Sequence, residues 1–316
     1  MKIKGLGLFS EIMGISPLNK SLKETKIALM GAEDVPSSKF DLSSLKQLHP
    51  KISPKLWFGK PYLEKTVIIS NLFNHIPTPI ENGWSVAKTQ TRDFRGKSLT
   101  YNSHNAIDFA IPVGTKVCTA APGVVLKIHR EFNRGGLKIH IDHGYGLITG
   151  YVHLAKSLVK VGEKVKRGQV IALSGYSGLD GASTFPFGIP HVHFNTWLNG
   201  KPTEAFAFEN NISLWREDNM PKSTNSYESD FAPSIFNEDK INLALSYCIT
   251  KSSVDRINSI QNITYKAIEL LVEMNYYPTR FTKFVNIYDK EYPRKSLLDL
   301  PFLAEDFNDV VFLDEI

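Results

Sequence analysis

Leu137-Lys138-Ile139-His140-Ile141-Asp142-His143-Gly144-Tyr145-Gly146-Leu147-Ile148-Thr149-Gly150-Tyr151-Val152-His153 reads as two β-prone runs joined by one glycine turn. The pattern repeats outward from it. Residues 124–128 and 169–173 form further short β-prone runs, and Pro122-Gly123, Arg134-Gly135-Gly136 and Arg167-Gly168 separate them. Regularly spaced short strands with glycine turns predict a mainly β domain over residues 81–210, an antiparallel sheet in an open sandwich or barrel.

The flanks read differently. Residues 1–80 form a mixed accessory segment: Ser21-Leu22-Lys23-Glu24 fits a capping box for a helix over 17–30, and Thr66-Val67-Ile68-Ile69-Ser70 fits a buried strand stopped by Pro77 and Pro79. Residues 211–316 open on a polar linker and turn α-helical, with one helix starting near Asn237 and another running from about Ser252 through Leu271. The tail from 283 to 316 alternates aromatics with carboxylates and reads as packing or partner-binding material.

Composition excludes several classes. The formal charge of +5 is spread over 316 residues without a basic run, so no nucleic-acid partner is expected. Cys118 and Cys248 are the two cysteines, too few for a disulfide framework or a cysteine zinc motif. No apolar stretch approaches the ~18 residues of a spanning helix, so no integral membrane segment is expected. Residues 1–11 start basic and then apolar, but Glu11 cuts the run short and no small-residue cleavage site follows, so they make no convincing signal peptide.

Histidines carry the chemistry. In Pro190-His191-Val192-His193-Phe194, an extended strand sets His191 and His193 on one face and Val192 and Phe194 on the other. Imidazoles on a rigid strand suit a metal, although such a pair taken alone is more often two solvated histidines. In His104-Asn105-Ala106-Ile107-Asp108, extended backbone sets His104 and Asp108 on one face across the small Ala106; the competing reading is a buried hydrogen-bonded pair. With His193 they would supply two nitrogens and one oxygen, leaving a fourth tetrahedral position for water. His153, in Tyr151-Val152-His153-Leu154, and His191 are then the histidines not needed as ligands.

His104-x-x-x-Asp108, Tyr151-x-His153-Leu154 and His191-x-His193-Phe194, in that order, resemble the lysostaphin-type (LytM-type) zinc endopeptidases. The resemblance extends to Ile107-Asp108-Phe109-Ala110-Ile111-Pro112-Val113-Gly114-Thr115 and Ile141-Asp142-His143-Gly144-Tyr145-Gly146, and it covers roughly residues 80–208. It implies one zinc ion per chain on His104, Asp108 and His193, with His153 and His191 as the catalytic pair assisting a zinc-activated water. It also implies a peptide substrate, most often in peptidoglycan cross-bridges or stem peptides, and hence an extracytoplasmic place in the periplasm, cell envelope or medium. Two departures stand out: Ala106 replaces the family's usual Gly, and residues 179–189 make a longer connection, with Phe185 and Phe187 beside the cleft.

Three other readings compete with this one. A non-catalytic peptidoglycan- or partner-binding scaffold of the same fold would shed ligands, yet all five positions are intact. A biotinyl or lipoyl carrier, which Val161-Gly162-Glu163-Lys164-Val165-Lys166-Arg167-Gly168-Gln169 brings to mind, would need a lysine at a hairpin tip between characteristic neighbours, and none is found. The third concerns regulation: the order of the segments allows a flank to cover the groove as an intramolecular inhibitor.

Overall fold

The glycine turn closes as its sequence predicts, with His143 N–H donating to Leu147 O (2.9 Å) and Leu147 N–H to Gly144 O (3.0 Å). The computed structural model describes Leu6 and residues 9–316, so the signal-peptide reading of residues 1–11 falls largely outside the described residues. Around the turn run β1 (Thr66–Asn71), β2 (Ile107–Ala110), β3 (Lys116–Cys118), β4 (Gly123–Glu131), β5 (Gly136–Asp142), β6 (Leu147–Ser157), β7 (Lys164–Val165), β8 (Val170–Ser174), β9 (His191–Leu198) and β10 (Lys201–Pro202). The remaining strands, all late in the chain, are β11 (Ser223–Thr224), β12 (Leu300–Leu303) and β13 (Asp309–Phe312).

The main path of the sheet is β13-β1-β2-β9-β6-β5-β4-β7, open at both ends, so no barrel closes. An antiparallel sheet was expected, and the observed one is mixed: β1 pairs parallel to β13. The parallel pair arises because both flanks join the sheet, which the glycine-turn pattern of the middle segment does not encode. β1 lies inside the sheet, paired with β2 through Ile68↔Ala110 and Ile69↔Phe109.

Alternation along the strands builds two cores. One face buries Ile139, Ile141, Tyr151, Phe194 and Phe109 with Trp215 and Phe302 from the C-terminal region. The other carries Leu126, Ile148 and Trp197 under two helices, α5 (Glu238–Ser246) and α7 (Ile263–Tyr276). The long second helix of the sequence reading is in fact two, α6 (Lys251–Asn258) and α7, because Asn262 accepts from Tyr265 N–H (3.1 Å) and starts a new helix. Between α7 and the sheet lie His129 and His140, whose ring nitrogens find no hydrogen-bond partner among the described residues. Burial first, and then nearby Lys138, pulls His129 down to about 4.

Near the N-terminus, α1 (Phe9–Ile12), α2 (Leu18–Met30) and α3 (Ser53–Trp57) come first. The helix forms where expected, but its capping box does not. It begins at Leu18, so Ser21 sits inside it and donates to Ile15 O (2.6 Å), while Glu24 accepts from the backbone N–H groups of Phe132 and Asn133. The 179–189 connection folds into α4 (Leu179–Thr184), and Phe185 packs edge-on against Trp57 (5.1 Å) and Phe9 (5.0 Å). Phe185 thus fastens the loop to the N-terminal segment, and Leu179 and Asp180 take the cleft wall where Phe185 and Phe187 were expected.

Candidate metal centre

Strand register sets the site. β2 and β9 pair with Asp108 opposite His193 and Ala110 opposite His191, so the carboxylate and both imidazoles leave one face at neighbouring rungs. His104 enters from the loop before β2. Its Nε2 lies 3.0 Å from Asp108 Oδ1 and 3.3 Å from His193 Nδ1, and His193 Nδ1 lies 2.8 Å from the same oxygen. A zinc ion bound at about 2.0–2.1 Å would set tetrahedral edges of roughly 3.3–3.4 Å, so these three donors need to spread only slightly to hold one.

The supports are backbone atoms and amides. His104 Nδ1–H donates to Leu72 O (2.6 Å), which leaves Nε2 unprotonated and facing the other two donors. Asp108 Oδ2 accepts from Asn71 Nδ2 (2.9 Å) at the end of β1, and Asn195 brings its amide within 3.4 Å of His193 Nε2. Asn195 Oδ1 in turn accepts from the Tyr276 hydroxyl (3.2 Å) at the end of α7. Burial alone would raise Asp108, but the facing imidazoles of His104 and His191 hold it well below the usual carboxylate range. It is therefore an anion among imidazoles, the charge a dication requires.

His153 and His191 stand beside this group, ring centroids 4.8 Å apart. His153 has a positive φ of 63°, a conformation uncommon outside glycine, where the β5–β6 register shifts. The irregularity re-aims the side chain, and Ser177 O accepts from its Nδ1–H (2.9 Å), while Ile189 O does the same for His191 (2.7 Å). Both rings therefore present Nε2. Burial first, and then His191 and His193, pulls His153 well below its ordinary value, so its ring is neutral. Tyr176 packs across both rings at 5.1 and 4.7 Å.

All five residues singled out in the sequence thus meet in one place. A second triad, His153, His191 and His193, is also close enough to hold an ion, but it offers no anionic donor.

The model of peptidase family M23 matches residues 102–205. This segment is a peptidase family M23 domain. The peptidoglycan DD-endopeptidase ShyA of Vibrio cholerae is 36% identical over 128 residues, 40% of this chain and 28% of that protein. The glycyl-glycine endopeptidase ALE-1 of Staphylococcus capitis is 30% identical over 133 residues, 40% of this chain and 35% of that protein. A solved zinc-containing peptidase from Vibrio cholerae aligns over 46% of this chain and 40% of its own, at 28% identity and a TM-score of 0.34. The chain thus spans about a third or less of these two curated relatives.

The five histidine and aspartate positions all fall inside the M23 domain. Asn71 and Tyr276 lie outside it and were not singled out in the sequence. Asn195 had a signal, since it shares the strand face of His191 and His193.

Proposed function

We propose that this protein is a zinc endopeptidase that cleaves peptide bonds of peptidoglycan, in cross-bridges or stem peptides, outside the cytoplasmic membrane. The convergence of His104 Nε2, Asp108 Oδ1 and His193 Nδ1 within 3.3 Å of one another, inside an M23 domain, carries this reading. Named relatives that are peptidoglycan endopeptidases support the substrate class. No helix among the described residues is long and apolar enough to cross a membrane.

One zinc per chain would be held by His104, Asp108 and His193. When bound, it would polarise the scissile carbonyl and acidify a water nucleophile. His153 is placed to accept the proton that the nucleophile gives up, because its Nδ1–H is committed to Ser177 O and its unprotonated Nε2 faces the site. His191, fixed through Nδ1 on Ile189 O, turns Nε2 toward the same space, where in its doubly protonated form it would donate to the developing oxyanion or to the leaving amine. Wild-type protein is expected to purify with about one zinc and to release peptides from purified peptidoglycan. Chelation should abolish the release and added zinc restore it; a protein that cannot be loaded with metal would rule the reading out.

The flanks act on access in this reading. Ala28 and Phe40 from the N-terminal segment, and Tyr276 from α7, line a cavity of about 120 Å³ with His153 and His193, room for a few waters and not for a peptide. Deleting residues 1–75 would also remove β1 and Asn71, so a point change is the cleaner test. Glu24→Ala releases α2 from Phe132 and Asn133. It is expected to raise turnover of a short soluble peptide severalfold, and that of intact peptidoglycan with it; unchanged or lower turnover of the peptide with intact folding removes the inhibitory role.

A further inference from the structure

Arg134 is the buried cation that the proposed hydrolysis leaves without a task. It sits in the β4–β5 hairpin, 8% exposed, on the wall of the same cavity as His153 and His193. Nη1 donates to Asn133 O (3.2 Å), Nε has no partner among the described residues, and Arg134 enters no ion pair among them. The nearby Glu131 is engaged by Lys138 Nζ (2.7 Å) and by the Tyr277 hydroxyl (3.1 Å). A guanidinium stays charged at neutral pH, and leaving its donors unmet in a buried place is costly unless a partner arrives.

The surroundings hold that guanidinium ready. It lies over the ring of Trp84 at 5.5 Å and over that of Tyr277 at 5.6 Å, so two aromatic faces restrict it. Both aromatics come from outside the M23 segment, Trp84 before it and Tyr277 after it. The next residue, Gly135, accepts from His153 N–H (2.9 Å), which ties the guanidinium to the frame of a proposed catalytic histidine. Its Cβ position is filled by Val152 Cγ1, so the glycine also lets the hairpin approach the β6 strand this closely.

We propose that Arg134 is a specificity-determining residue: framed by Trp84 and Tyr277, it receives a free carboxylate carried by the substrate beside the scissile bond. The small cavity fits this role, since it has room for a carboxylate and the carbon bearing it. The inference rests on the hydrolytic reading for its substrate, and not on the zinc site for its chemistry.

The test uses the zinc-loaded full chain and two cross-linked stem peptides, one with the carboxylate beside the scissile bond free and the other with it converted to carboxamide. Wild type is expected to favour the free acid by about ten- to a hundredfold in kcat/KM, mostly through KM, because a charged hydrogen-bonded pair is lost with the amide. Arg134→Gln should erase the preference while leaving zinc content and turnover of the amide unchanged, and Arg134→Lys should keep part of it. Equal treatment of the two peptides by wild type, or an equal loss on both in Arg134→Gln, overturns the proposal. Arg134→Lys decides if the glutamine variant fails to fold. Titrating the same peptides into the zinc-loaded His153→Ala variant reads the preference without turnover. If wild type cleaves neither peptide but this binding preference persists and depends on Arg134, the carboxylate site stands and the hydrolytic reading falls.

Discussion

Asp108→Asn is expected to yield folded protein without zinc and to lower peptidoglycan hydrolysis by at least on the order of 10³-fold, since metal polarisation contributes several kcal/mol to such a barrier. Asp108 Oδ1 lies 3.0 Å from His104 Nε2 and 2.8 Å from His193 Nδ1, Oδ2 accepts from Asn71, and an amide can keep part of that geometry. What it cannot keep is the negative charge that makes two neutral imidazoles into a site for a dication. His153→Ala should part company with it: zinc content unchanged, hydrolysis down by about 10²- to 10⁴-fold, the usual range for a lost proton acceptor. Metal content measured on the same samples as turnover separates the two. If His153→Ala loses the metal and Asp108→Asn keeps it, the ion belongs to the His153, His191 and His193 triad, and the roles assigned here are reversed.

The part of this site that could be read from the chain is the part that obeys period two. His191 and His193 share a face because one residue separates them, and β9 then places His193 beside Asp108 and His191 beside Ala110. The glycine turns likewise announced β4, β5, β6 and β8. Asn71, Tyr276 and Arg134 gave no such signal, because each reaches the cleft through packing with no local repeat. Asn71 meets Asp108 across 37 residues of sequence, and Tyr276 meets Asn195 across 81. The tail was opaque for another reason: Asp309-Val310-Val311-Phe312 is too short and too near charged residues to stand out, and it becomes a strand only because β1 offers it an edge. The 179–184 stretch holds Gly181 and Ser183, poor helix formers, so α4 owes its form to tertiary contacts.

Those long-range contacts make a stability prediction that bears on the cleft. Lys138 Nζ is fully buried, donating to Glu131 Oε2 (2.7 Å) beneath the Tyr276 ring, whose centroid is 4.0 Å away. Burial pulls Lys138 below its ordinary value despite the carboxylate, whereas Glu131, which burial would raise, is held well below its own by Lys138. The buried ammonium therefore depends on the Glu131 carboxylate to offset its burial. Glu131→Gln should therefore lower unfolding free energy by about 3–5 kcal/mol, the cost of stranding one partner of a buried pair. The double change Glu131→Gln with Lys138→Met should recover most of that loss, since no buried charge is then left unmatched. Urea unfolding of the zinc-loaded proteins measures both, and equal losses in the single and double variants would show that the carboxylate acts some other way. Glu131 also accepts from the Tyr277 hydroxyl, and Tyr277 is one of the two rings framing Arg134. The double variant, in which a neutral amide oxygen replaces that charged acceptor, should accordingly fold well and still discriminate less between the free and amidated peptides, because stability and specificity here share a residue but not a cause.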